Sequence, residues 1–109
     1  MPERMVPTLL EPPSHAVLDT KQLHTFCVVA RTCNFTRAAK ELGCCQSTVT
    51  VHIRSLELAF GALLFDRNRS SKAVMLTKAG KCALDYAQRL LALVDEAKAV
   101  LSQSSAVLE

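Results

Sequence analysis

The chain contains no tryptophan, one tyrosine and four phenylalanines among its 109 residues. With aromatics at 5% and hydrophobic residues at 50%, any core must be built mainly from aliphatic side chains. No apolar run approaches the ~18 residues that a membrane span needs. Residues 1–18 also lack the continuous apolar centre of a secretory signal. Without such a signal, the five cysteines (Cys27, Cys33, Cys44, Cys45 and Cys82) read as free thiols in a reducing compartment, and the cytoplasm is the expected location. All four prolines fall at positions 2, 7, 12 and 13, so residues 1–17 read as a flexible leader or a displaced start site; residues 104–109 read as a frayed tail. A glycine-rich phosphate loop, a paired acid in a plausible cleft and a Ser/His/Asp spacing are all missing, so no enzymatic activity is expected. The paired ligand spacing of a structural zinc site is missing too, and no metal or other cofactor is expected in this chain.

What the chain does carry is charge of one sign in one place. The formal net charge of +3 is mild. Residues 31–72, however, hold Arg31, Arg37, Lys40, Arg54, Arg67, Arg69 and Lys72 against only Glu41, Glu57 and Asp66. Such a patch suits a polyanionic partner.

The patch coincides with a patterned stretch, NFTRAAKELGCCQSTVTVHIRSLELAFG, at residues 34–61. A short helix over Thr36–Leu42, capped at Asn34, places Ala38, Ala39 and Leu42 on one side. Gly43 can take the positive φ that ends a helix, and Cys44 and Cys45 carry the chain round. A second helix starts near Cys45 or Gln46, stops at Gly61, and repeats Val49, Ile53, Leu56 and Phe60 as a buried stripe. Its opposite side carries Gln46, Ser47, Thr50, Val51 and Arg54, groups able to read base edges and grip phosphate in a major groove. The arrangement is that of a helix-turn-helix.

The flanks extend the pattern. Asp19 or Thr20 caps a first helix to about Thr32, with Leu23, Phe26, Cys27 and Ala30 on one face. Leu63-Leu64-Phe65 and Val74-Met75-Leu76 predict a β-hairpin wing whose tip presents Arg67, Arg69 and Lys72. Thr77 caps a last helix from Lys78 to about Gln103. Its residues Ala79, Ala83, Tyr86, Leu90, Leu93, Ala97 and Val100 repeat every 3.5 residues on average. That stripe exceeds what so small a domain can cover, and it calls for a partner helix from a second copy. The expected fold is mainly α: a winged helix-turn-helix over residues 18–76, with a three-helix core and a hairpin wing, plus a linker helix over 77–103 for dimerisation.

LHTFCVVARTCNFTRAAKELG, QSTVTVHIRSLE, LFDRNR and LTKAG, in this order across residues 19–100, resemble the amino-terminal DNA-binding domain of LysR-type transcriptional regulators. The resemblance implies a homodimer, or a tetramer in the full-length protein, on partly palindromic double-stranded promoter DNA. It also implies that a small-molecule effector binds a carboxyl-terminal domain missing from this chain. By the same resemblance Gln46, Ser47, Thr48 and Thr50 read the groove, Thr36 and Arg37 touch phosphate, and Arg67 meets the DNA backbone or minor groove. Gln46 is the candidate for bidentate pairing to adenine. Arg54 either holds phosphate or pairs with an acid such as Glu57. His52 either approaches phosphate or is solvated.

This chain departs from the family pattern at three points. Cys45 stands where the family often has serine, a better cap, and Val51 where it often has arginine. The wing also lacks its usual glycine. Two other functions fit some of the residues: a helical dimerisation or adaptor module without DNA, and a thiol- or metal-sensing regulator using Cys44 and Cys45.

Overall fold

The computed structural model describes residues 18–67 and 73–103. Helix α1 runs over Thr20–Thr32, α2 over Phe35–Leu42 and α3 over Gln46–Phe60. Strands β1, Phe65–Asp66, and β2, Met75–Leu76, precede a 25-residue helix α4, Lys78–Ser102.

Each helix starts where a side chain replaces a missing backbone partner. Asp19 and Gln22 form a capping box at α1: the Asp19 carboxylate accepts the Gln22 N–H at 2.8 Å, and the Gln22 side chain accepts the Asp19 N–H at 3.2 Å. Asn34 accepts the Arg37 N–H at 2.9 Å, and Thr77 accepts the Gly80 N–H at 2.9 Å. Cys45 makes no such bond at the start of α3. The α2–α3 corner turns at Gly43, φ 70°, where a side chain would be strained.

Helices α1, α2 and α3 pack on one another, and α1 also packs on α4. Their shared core holds Leu23, Phe26, Val29, Ala38, Ala39, Val49, Ile53 and Leu56, closed by Leu64, Phe65 and Ala87. Phe65 anchors the wing, its ring edge-on to Phe26 at 5.5 Å and to Phe35 at 6.0 Å. Two polar links across the α1–α3 seam fix the third helix against the first. Gln22 Nε2 donates to Ser55 Oγ at 3.0 Å, and Thr25 Oγ1 pairs with His52 Nδ1 at 2.8 Å. His52 is therefore half-buried and occupied on one ring nitrogen.

The wing is shorter than its two apolar runs suggest. Only Phe65↔Leu76 and Asp66↔Met75 pair, antiparallel. Leu64 is fully buried beside Phe65 because other groups hold its backbone: its N–H donates to the Glu57 carboxylate at 2.9 Å, and its carbonyl accepts the Thr77 N–H at 3.0 Å. Thr77 also donates its hydroxyl to the Leu63 carbonyl, so one residue caps α4 and ties it to the wing. Gly80 sits against this junction so closely that a Cβ would lie 2.1 Å from the Leu64 carbonyl oxygen.

Three expectations from the pattern are corrected. Phe60 is 40% exposed and does not complete the α3 stripe. Glu57 is buried there instead, since its carboxylate binds the Leu64 N–H and Arg67. The helical spacing of Cys82 predicts a thiol on an apolar face as a small core residue; it is exposed instead. Ala83 is half-buried and packs on its own domain. The inward row of α4 is Gly80, Leu84, Ala87 and Leu91, itself spaced by 4, 3 and 4. The other stripe lies about 100° round the helix, and Ala83 falls between the two rows.

Candidate nucleic-acid interface

Helix α3 presents a polar N-terminal face because its opposite side is fixed in the core by Val49, Ile53 and Leu56. Gln46 and Ser47 are exposed on the first turn, Val51 is 62% exposed and Arg54 lies exposed a turn further on. Thr48 and Thr50 are half-buried at the edges of this face. A residue row of this kind, on a helix that projects from a three-helix core, fits the width of a DNA major groove.

Side-chain bonds organise the first turn. Thr36 Oγ1, on α2, donates to Gln46 Oε1 at 3.0 Å. Cys45 Sγ lies 3.3 Å from both Ser47 Oγ and Thr48 Oγ1. The Ser47 hydroxyl, then the Thr48 hydroxyl, stabilise the thiolate and bring Cys45 down to about 7. Burial pushes the Cys27 thiol up, in contrast.

Beside the first turn of α3, Asn34, Thr36, Arg37 and Lys40 line a shallow hollow of about 310 Å³. Two cations and a helix start make it suited to a phosphate. No motif marks Lys40, but its place in the sequence, three residues after Arg37, puts it on the same helical face. Arg31, by contrast, is engaged by Glu41, whose carboxyl it holds below the usual range by hydrogen bonding.

At the other end of α3, Arg54, Glu57, Leu58, Gly61, Ala62, Leu63 and Arg67 line a groove of about 510 Å³. Arg67 donates to Glu57 at 3.4 Å and stacks over the Phe35 ring at 5.6 Å. Glu57 thus serves Arg67 and the wing. Arg69 and Lys72 lie outside the described residues. Among the described residues no group of three or more His, Cys, Asp or Glu side chains could hold a metal ion. Among the described helices none is long and apolar enough to cross a membrane.

On α4, Ala79, Tyr86, Leu90, Leu93, Ala97 and Val100 are exposed, with Leu93 and Val100 each at 60%. Arg89 crosses the Tyr86 ring at 4.7 Å and pairs with Asp85 at 3.4 Å.

These features define a winged helix-turn-helix with an appended linker helix. The sequence profile described as "Bacterial regulatory helix-turn-helix protein, lysR family" matches residues 20–81, and the chain belongs to that family. The chain is 45% identical over 86 residues to the HTH-type transcriptional regulator YwqM of Bacillus subtilis, covering 79% of this chain and 29% of YwqM. It is 41% identical over 96 residues to BbuR of Bordetella bronchiseptica, covering 88% of this chain and 29% of BbuR. These relatives are transcriptional regulators, not enzymes, and the chain spans under a third of their length. Among solved structures it is similar to Vibrio fischeri DarR in complex with DNA, with a TM-score of 0.73, 32% identity, and coverage of 79% of this chain and 29% of that one. It is also similar to the CbnR DNA-binding domain in its DNA complex, with a TM-score of 0.74, 30% identity, and coverage of 78% and 95%.

Proposed function

We propose that the chain is the DNA-reading domain of a LysR-type transcriptional regulator, acting in the cytoplasm as a homodimer on a partly palindromic promoter site. The observation that carries this reading is the first turn of α3. Gln46 and Ser47 stand exposed there, next to a hollow with Arg37 and Lys40 on its rim. Gln46, Ser47, Thr48, Thr50 and Val51 meet the bases. Val51 offers a methyl surface to thymine where an arginine would have hydrogen-bonded a guanine. Arg37, Lys40 and Arg54 hold phosphates, with Arg67, Arg69 and Lys72 supplying charge from the wing. The exposed row Ala79, Tyr86, Leu90, Leu93, Ala97 and Val100 pairs with its copy. The effector is bound by a part of the longer protein that this chain does not contain, in keeping with the 29% of YwqM and BbuR that it spans.

The test is a fluorescence-anisotropy titration with the DNA upstream of the protein's own gene at two salt concentrations. A specific complex that weakens with salt and loses ~1–3 kcal/mol when Gln46 becomes Ala is expected. A chain that is only a helical dimerisation module gives no specific complex at either salt.

A further inference from the structure

Thr36 and Gln46 are ten residues apart on two different helices, both exposed, and joined by a hydrogen bond of 3.0 Å with the hydroxyl as donor. A threonine hydroxyl has one proton. While Gln46 Oε1 accepts it, Thr36 has none left to give, and a phosphate oxygen only accepts. The two roles open to Thr36, phosphate ligand and partner of Gln46, therefore exclude each other at any instant. The nearby cations Arg37 and Lys40 can serve a phosphate without it.

We propose that Thr36 is a positioning residue for base selection: it holds the Gln46 amide in the orientation that recognises a base edge. The inference rests on the DNA-binding reading above and adds to it the residue that sets its selectivity. Gln46 is the first residue of α3, and its long side chain would otherwise sample many rotamers over open solvent. With Oε1 turned toward α2, one oxygen lone pair and the Nε2 protons remain for a partner. Adenine offers the matching pair in the major groove, an N6 donor beside the N7 acceptor, whereas guanine offers two acceptors. Reversing the amide requires the Thr36 hydroxyl to turn from donor to acceptor, so the identity of residue 36 biases which base residue 46 selects.

The experiment is selection of bound duplexes from a pool of randomised double-stranded DNA, with sequencing, for the wild type, Thr36→Val, Thr36→Ser and Gln46→Ala. Thermal melts establish that each variant folds. Thr36→Val keeps the shape of the side chain and removes the hydroxyl. It should flatten the same base position that Gln46→Ala flattens, lowering discrimination there roughly two- to tenfold. Other positions and the salt slope should stay as in the wild type, and Thr36→Ser should keep the wild-type preference. The proposal is overturned if Thr36→Val weakens binding to all sequences alike and reduces the salt slope by about 1, the mark of a lost phosphate contact. It is equally overturned if Gln46→Ala flattens no position, or if Thr36→Ser behaves as Thr36→Val. A wild-type protein that enriches no sequence overturns the DNA-binding reading itself, an outcome distinct from these.

Discussion

At the scale of single residues, two cysteines stand where the backbone or the helix start would favour another side chain, and each yields a measurable consequence. Cys33 ends α1 with φ 57°, the only non-glycine residue with positive φ among the described residues. Its carbonyl accepts the Val74 N–H at 3.0 Å, so the conformation is held by the wing. A left-handed residue other than glycine costs ~1–2 kcal/mol, and the greater freedom of glycine in the unfolded chain offsets ~0.5–1 kcal/mol of the relief. Cys33→Gly should therefore gain up to about 1 kcal/mol in urea unfolding, whereas a loss would mean that the thiol packing outweighs the backbone. Cys45 acts through its charge. Its thiol ionises near 7 in the folded protein against an ordinary 9.0. The thiolate's support of the folded state is thus complete above pH 9.0 and is lost as the pH falls through about 7. DNA affinity should run the other way, because a thiolate at the start of the proposed reading helix adds negative charge toward a polyanion, so binding should weaken as the pH rises through about 7. Cys45→Ser should abolish both trends. Melting and anisotropy measured from pH 6 to 9 on the two proteins decide it, and superimposable pH profiles would count against the thiolate.

At the scale of elements, helix bounds were legible in the sequence because their causes are local: Asp19, Asn34 and Thr77 as caps, Gly43 and Gly61 as ends, and apolar periodicity between them. What local pattern does not reveal is where an element overhangs its neighbours. Phe60 fits the stripe of α3 by spacing, yet it is exposed. The burial goes to Glu57, whose partners Leu64 and Arg67 lie across a turn. Spacing could not have assigned a carboxylate to the inside. The bond between Thr36 and Gln46 is hidden for the same reason, since it joins two helices. The wing–α4 junction is the most constrained of these contacts, and Gly80 is its test. A methyl group there would meet the Leu64 backbone carbonyl at 2.1 Å and the Leu76 side chain at 3.0 Å. Gly80→Ala should destabilise the domain by about 3 kcal/mol, at the upper end of overpacking effects. Chemical denaturation measures this directly. A loss below about 1 kcal/mol, despite alanine's better helix propensity, would mean that the junction yields easily.

At the scale of the whole molecule, α4 carries two apolar rows, one packed on the domain and one exposed. Gly80, Leu84, Ala87 and Leu91 face the domain; Tyr86, Leu90, Leu93 and Val100 are left to solvent, each more than 40% exposed. Because the rows are separate, one can be altered without the other. Leu90→Glu with Leu93→Glu places two charges in the outer row while the inner row and the core stay intact. Each buried leucine in a paired stripe contributes ~1.5–3 kcal/mol, and two unpaired carboxylates add a desolvation penalty. The double variant should therefore sediment as a monomer at micromolar concentrations where the wild type should sediment as a dimer, with helical content kept. Two reading heads joined by α4, as proposed, would bind a palindromic site with an effective-concentration gain of ~10²–10⁴. A monomer forfeits most of that gain on the full site while binding an isolated half-site as the wild-type head does. If the variant still sediments as a dimer, the outer row is not the interface. If it becomes monomeric yet binds the full site undiminished, dimerisation through α4 does not contribute to operator affinity.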